Sequence, residues 1–496
     1  MPHLPSPIKL LSLATFLILG FHPNPVFSQN KTQKLCPAQL PSAIETIINR
    51  SELQRSRWGI LIQTLDNQQT LYQREAQRYF TPASTVKLLT TAAALHHLGS
   101  AYRIRTSIYG TPNTANLSSL RLVGRGDPSL TNTQLQDLAQ QLQRQGIESV
   151  EKLIVEDSYF HDPPINPTWQ WEDLIFYYAT AVNSLILNEN TVTLTLLPQK
   201  VGQPVKLTWD DNIAARQWQT SNFAYTYPDD TEYSVKINSA FSQPWLQLTG
   251  NLPLNSEPDP WGMAIVNPGN YFLESWRRIL ESAGITVKQG IVSTQKIDKI
   301  EGEQQLAAIE SLPLSQLLQV ANQRSNNLYA EALLRTLGAT QCREDECQSS
   351  TDIAKEILTD LGVEPSSYFL ADGSGLSRQN LVSPEAIAQT LQLIMQTPQG
   401  EIYRNSLSLA GINGTLRRRF RDTPVQGNLW GKTGTLTGVT TLAGYLYTPN
   451  YQPMVISIMV NQSQQQATIH RQAIDEIVLL LTDLHPCEDS SSSLGF

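Results

Sequence analysis

The chain is short of several things at once. Of its 496 residues only 4 are cysteine and 7 histidine, and 16% are charged. Lys and Arg number 36 against 44 Asp and Glu, a formal net charge of −8, with no long basic run. Phosphate backbones are held by clustered Lys and Arg, so this balance excludes a nucleic-acid partner. The histidines show no metal-ligand spacing, and no Cys or His pair supplies the second half of a zinc site. Past the N-terminus there is no apolar stretch near the roughly 18 residues that would span a bilayer. A cofactor, a metal and a membrane anchor are all unexpected.

The one long apolar run lies at the start. Lys9 precedes Leu10 to Phe21, and Val26 and Ser28 occupy the two small-residue positions of a cleavage site. Residues 1–28 are expected to be a secretory signal peptide, which sends a soluble protein to the periplasm or cell envelope. The few cysteines suit that address. Cys342 and Cys347 enclose the polar loop CREDEC, while Cys36 and Cys487 sit near the two ends of the mature chain. Four cysteines allow three connectivities; Cys342–Cys347 with Cys36–Cys487 is the preferred pairing.

What is there falls into two textures. RWGILIQTLDNQQTLYQRE reads as a hairpin turning near Asp66-Asn67, and TPASTVKLL runs into a helix that stops before Gly99. From about 105 to 305, short alternating runs such as NTVTLTLLP and PWLQLTGNLPL are broken by Gly, Pro, Asn and Asp. Helical spacing returns in SLPLSQLLQVANQ, breaks at RSNN, and resumes in LYAEALLRTLG. SPEAIAQTLQLIMQT has Ser383 as a cap and Pro384 at the first helical position. Two strands, TTLAGYLYTP and PMVISIMVNQ, and a last amphipathic helix close the chain. The expectation is one discontinuous α/β domain, residues 29–105 plus 305–487, interrupted by a β-rich insertion over 106–304, with a tail at 488–496.

Three short patterns could carry chemistry. Ser84 and Lys87 are three apart, so on a helix their hydroxyl and amine share a face. Thr81 and Pro82 look like that helix's cap and first residue, which puts Ser84 beside unpaired N–H groups that favour an alkoxide. Lys87 can be a base only if burial or a neighbouring cation removes its proton. Ser325-Asn326-Asn327 interrupts two helices and puts a hydroxyl and a carboxamide on a tight connection. Lys432-Thr433-Gly434-Thr435 opens a strand where glycine permits close approach and the cation and hydroxyls can hold an anionic substrate end.

Together and in this order the three patterns resemble the S-x-x-K, S-x-N and K-T-G signature of serine DD-peptidases and β-lactamases. The insertion of about two hundred residues between the first two is similar to the class C low-molecular-mass penicillin-binding proteins, the D-alanyl-D-alanine carboxypeptidase/endopeptidase family. GRGDPSL at 124–130, DGSGLSRQNLVS at 372–383 and GINGTLRRR at 411–419 match it as well. The resemblance implies a β-lactamase/transpeptidase-like α/β fold, with an antiparallel sheet flanked by helices. It implies peptidoglycan stem peptides as substrate and β-lactams as covalent inhibitors. Ser84 would be the nucleophile and Lys87 its base; Ser325 with Lys432 would pass a proton to the leaving amine. Asn327 would bond the acyl half of the peptide, and Lys432, Thr433 and Thr435 would grip its terminal carboxylate. The N–H groups of Ser84 and Thr435 would hold the oxyanion. Repulsion between the two lysines would keep Lys87 partly neutral. Asp372 and Ser374 would order a loop beside the cleft. A β-lactamase and a non-catalytic envelope scaffold are the competing functions.

Overall fold

Apolar runs such as RWGILIQT, TTLAGYLY and PMVISIMV make strands covered on both faces, and they meet although they come from opposite ends of the chain. The structure, a computed structural model, describes residues 34–239, 243–298, 300–342 and 347–487. The expected signal peptide, the tail and the inside of the CREDEC loop fall outside those residues. The strands form a six-stranded sheet in the order Ser408–Leu409, Leu429–Leu436, Val439–Leu446, Met454–Asn461, Arg57–Thr64, Thr70–Arg74. Every pairing in it is antiparallel. Register runs without a break from Arg57 opposite Asn461 to Thr64 opposite Met454.

Side chains alternate across this sheet, so each face finds its own helical layer. Leu61, Ala443, Tyr445, Val455 and Met459 join the core beneath the helices Lys87–Leu98, Leu314–Gln323, Asn327–Gln341, Ser350–Leu361 and Pro384–Met395. Trp58, Ile60, Ile62, Leu442, Ile456 and Ile458 pack instead against Leu40–Ile48 and Ala467–Thr482. The expected cap at Ser383 is made, its hydroxyl accepting the N–H of Ala386 at 3.0 Å. This is the mixed α/β fold, with an antiparallel sheet between helices, that the motifs imply.

The middle of the chain is richer in helix than its sequence texture suggests. A five-stranded sheet runs Thr286–Ser293, Ser149–Glu156, Asn116–Val123, Arg105–Gly110, Gln304–Glu310, and its first three strands are mutually parallel. The helices Asn132–Arg144 and Pro268–Ser282 accompany it. The first of these, NTQLQDLAQQLQR, buries Leu135, Leu138, Ala139 and Leu142. That i, i+3, i+4, i+7 stripe is thin, because glutamines fill the rest, and it is easily read as loop. Two three-stranded sheets complete the region, and a single apolar cluster threads it from Ile108 to Ala307.

This region is tied to the helices by directed bonds as well as by contact. Arg335, 4% exposed, donates to the carbonyls of Val182 and Pro163. Trp169 Nε1 donates to Asp372 Oδ2 at 2.9 Å, and Asn166 Nδ2 to the carbonyl of Ala371 at 2.7 Å. Both expected disulfides are present, Cys36–Cys487 with Cα atoms 5.6 Å apart and Cys342–Cys347 with 4.6 Å. Among the described residues no helix is long and apolar enough to cross a membrane.

Candidate active site

Ser84 does not sit where an ordinary helix entrance would put it. Ala83–Val86 form a 3₁₀ turn, and the α-helix begins only at Lys87. The cap expected of the Thr81 hydroxyl is not made. Asn461, at the end of a central strand, instead accepts the N–H of Thr81 at 2.7 Å and donates to its carbonyl at 3.1 Å. The turn is thereby pinned to the sheet rather than capped by itself. Ala83 is held at φ 48° and Ser325 at φ 55°, a region uncommon for residues with a Cβ and concentrated at functional sites.

Two glycines let the backbone close around Ser84. A Cβ on Gly434 would lie 2.9 Å from both Ser84 N and Pro82 O, and one on Gly375 would lie 1.9 Å from Ala83 O. The strand Leu429–Leu436 and the loop after Asp372 therefore grip the Ala83–Ser84 peptide from two sides. Gly375, at φ 82°, also needs the left-handed region that glycine enters freely.

Five of the polar residues singled out by the motifs, Ser84, Lys87, Ser325, Asn327 and Lys432, gather around this cleft. Lys87 Nζ is 3.2 Å from Ser84 Oγ and 2.7 Å from Asn327 Oδ1, and it donates to the carbonyl of Ser374. Asn327 is oriented by its other end, Nδ2 donating to the carbonyl of Tyr178 at 2.7 Å. Lys432 Nζ bonds Ser325 Oγ and the carbonyl of Thr433, each at 2.8 Å. Ser84, Ser325, Asn327 and Thr435 line one cavity of about 370 Å³. Gln170, Asp173, Tyr177 and Tyr178 line it from the middle of the chain, a contribution that no motif announces. The Thr433 hydroxyl is engaged at 2.8 Å with Thr415 of the GINGT turn, whereas Thr435 is exposed and has Arg471 Nη2 at 3.5 Å.

Lys87 and Lys432 are both fully buried. Burial pushes Lys87 down from 10.5 to about 8, against the carboxylates of Asp372 and Glu331, which favour its charged form. Lys432 is pushed well below the usual lysine range, first by burial and then by the charge of Lys87. Loss of water is thus the leading cause at both lysines, and it loosens the Lys87 proton; repulsion between the two ammonium groups comes second to it.

Other residues escaped the sequence reading. Glu331, one helical turn after Asn327, is buried, and it accepts the N–H groups of Gly373 and Ser374. Asp372, by contrast, was expected to order its loop, and it accepts from Trp169, Ser377, Gly375 and Asn380. Glu189 accepts from Asn326 Nδ2 at 2.7 Å. A lone acid in the apolar helix LYAEALLRTLG was the available signal for Glu331; nothing local marks Glu189.

The chain is similar to known proteins over most of its length. A model of the D-Ala-D-Ala carboxypeptidase 3 (S13) family matches residues 40–483. The chain is 29% identical over 463 residues to penicillin-sensitive carboxypeptidase A of Dictyostelium discoideum, covering 86% of this chain and 87% of that one. It is 27% identical over 438 residues to the D-alanyl-D-alanine carboxypeptidase of Actinomadura sp. (strain R39), covering 85% and 81%. In fold it is similar to the crystal structure of penicillin binding protein 4 (dacB) from Haemophilus influenzae. That match has a TM-score of 0.77 at 24% identity and covers 88% of this chain and 98% of the other.

Proposed function

This chain belongs to the D-Ala-D-Ala carboxypeptidase 3 (S13) family, and from that membership we propose that it is a serine-type D-Ala-D-Ala carboxypeptidase working through an acyl-enzyme on Ser84. One observation carries the residue assignment. The buried Lys87 Nζ has two carbonyl acceptors, Asn327 Oδ1 and Ser374 O, and one hydroxyl, Ser84 Oγ. A neutral amine has two N–H bonds and one lone pair. With both N–H bonds donated to the carbonyls, the lone pair points to the hydroxyl whose proton it has to take.

The chemistry follows from that arrangement. Ser84 Oγ attacks the carbonyl carbon of the penultimate D-alanine while its proton passes to Lys87 Nζ. The N–H groups of Ser84 and Thr435 receive the oxyanion, donors of a kind worth about 10²–10³ in rate each. Collapse breaks the C–N bond, Ser325 hands a proton to the departing amine with Lys432 behind it, and D-alanine leaves. Water then releases the shortened peptide from Ser84. Asn327, with one N–H still unspent, bonds the acyl half, and Lys432, Thr433 and Thr435 take the terminal carboxylate. In this reading residues 29–105 plus 305–487 are the catalytic domain and 106–304 an insertion that completes the cleft wall. Peptidoglycan stem peptides are the substrate, β-lactams are covalent inhibitors, and the enzyme acts outside the cytoplasm after loss of residues 1–28.

Reaction of the purified protein with a fluorescent penicillin tests it. Lasting label on Ser84, with release of D-alanine from pentapeptide muropeptides, is the expected result. Rapid turnover of the drug would make the protein a β-lactamase, and an unlabelled protein would make it a scaffold. Splitting of cross-linked muropeptide dimers would add endopeptidase activity.

A further inference from the structure

A fully enclosed carboxylate lies one helical turn beyond Asn327. Glu331 is 2% exposed, and its i+4 position puts it on the same helix face as Asn327. Oε1 accepts the N–H of Gly373 at 3.0 Å and of Ser374 at 2.8 Å, and the carbonyl of that same Ser374 accepts Lys87 Nζ. The next residue, Gly375, packs on the Ala83–Ser84 peptide. An amide would satisfy the two N–H groups without the cost of burying a charge, so the charge itself calls for a use.

We propose that Glu331 is a positioning residue for Lys87: it fixes the loop carbonyl that orients the amine, and its charge sets how readily the amine keeps a proton. The charged groups facing it are Lys87 from the neighbouring helix, Asp372 from the loop and Arg335 from its own helix. Burial and then Asp372 push Glu331 up to about 7, against the Ser374 bond, Arg335 and Lys87. An ionised Glu331 favours the ammonium form of Lys87, so a neutral Glu331 releases that proton more easily. The inference rests on Lys87 being the base in the proposed function.

The test is the pH profile of acylation by a fluorescent penicillin, measured on the full chain. E331Q keeps an acceptor for the two N–H groups and removes the charge; its acidic limb should move down by about one pH unit. E331D keeps the charge but withdraws it from the loop; acylation should fall about tenfold at every pH, with the limb in place. An E331Q limb that does not move, whether the rate is unchanged or lowered uniformly, overturns the proposal. If E331Q does not fold, E331D decides, and a wild-type rate overturns it. A folded K87A protein acylated like wild type would instead overturn the underlying assignment of the base.

Discussion

Lys87 Nζ has three oxygen neighbours, yet an amine ready to accept a proton can donate to only two of them. Which state prevails is set by burial, which takes Lys87 down to about 8. The neutral form grows as pH rises through that value, so acylation should climb between about pH 7 and 9 and fall away below. Rates of penicillin labelling across that range check this, and K87A should be slower by at least about a hundredfold. The two glycines around Ser84 give a second prediction. A methyl group at Gly375 would collide with backbone, the Ala83 carbonyl at 1.9 Å, and no side chain can turn aside to admit it. G375A should therefore lose about a hundredfold or more in acylation rate, read from the same labelling. Ser84, Lys87, Ser325, Asn327 and Lys432 could be singled out because three short patterns occur together and in order. Gly375 and Glu331 were not, because what they touch is distant in sequence.

The turn between the helices Leu314–Gln323 and Asn327–Gln341 shows how an element is held in an unfavourable shape. Asn326 does two jobs there: Oδ1 accepts the N–H of Tyr329 as a helix cap, and Nδ2 reaches Glu189. Its neighbour Ser325 is thereby kept at a positive φ with its hydroxyl on Lys432. The two jobs can be separated. N326A loses both, so unfolding free energy should drop by about 1 kcal/mol and labelling should slow about tenfold. E189A keeps the cap; labelling should slow while the melting temperature stays near wild type. Equal behaviour of the two variants would argue against the anchoring role of Glu189. Hairpins and helices with strong periodicity were readable from sequence here. The helix Asn132–Arg144 was missed because its apolar stripe is diluted by glutamine, and the Thr81 cap failed because the 3₁₀ turn starts at Ala83 with Pro82 in the capping position, one residue later than expected.

Across the whole molecule the first and last described segments are fastened together. Leu35 bridges to Leu484, and Cys36 to Cys487 over a separation of 451 residues. A cross-link closing so long a loop removes much freedom from the unfolded chain, so C36S/C487S should lose about 3–5 kcal/mol of stability. Urea unfolding measures this, and labelling in the cold should persist because neither cysteine lines the cavity that holds Ser84. That both ends of the chain would meet in one sheet could be read from the order of the motifs. That the middle would supply Gln170, Asp173, Tyr177 and Tyr178 to the cleft could not, since no pattern relates them to Ser84. The central sheet carries a last consequence. Its strand Arg57–Thr64 needs Met454–Asn461 beside it, and a ribosome delivers those two nearly four hundred residues apart. The stretch bearing Ser84 is thus synthesised early and must wait, without its sheet, for nearly all of the remaining polypeptide. A premature stop anywhere before that last strand leaves no miniature enzyme, only an unfinished chain.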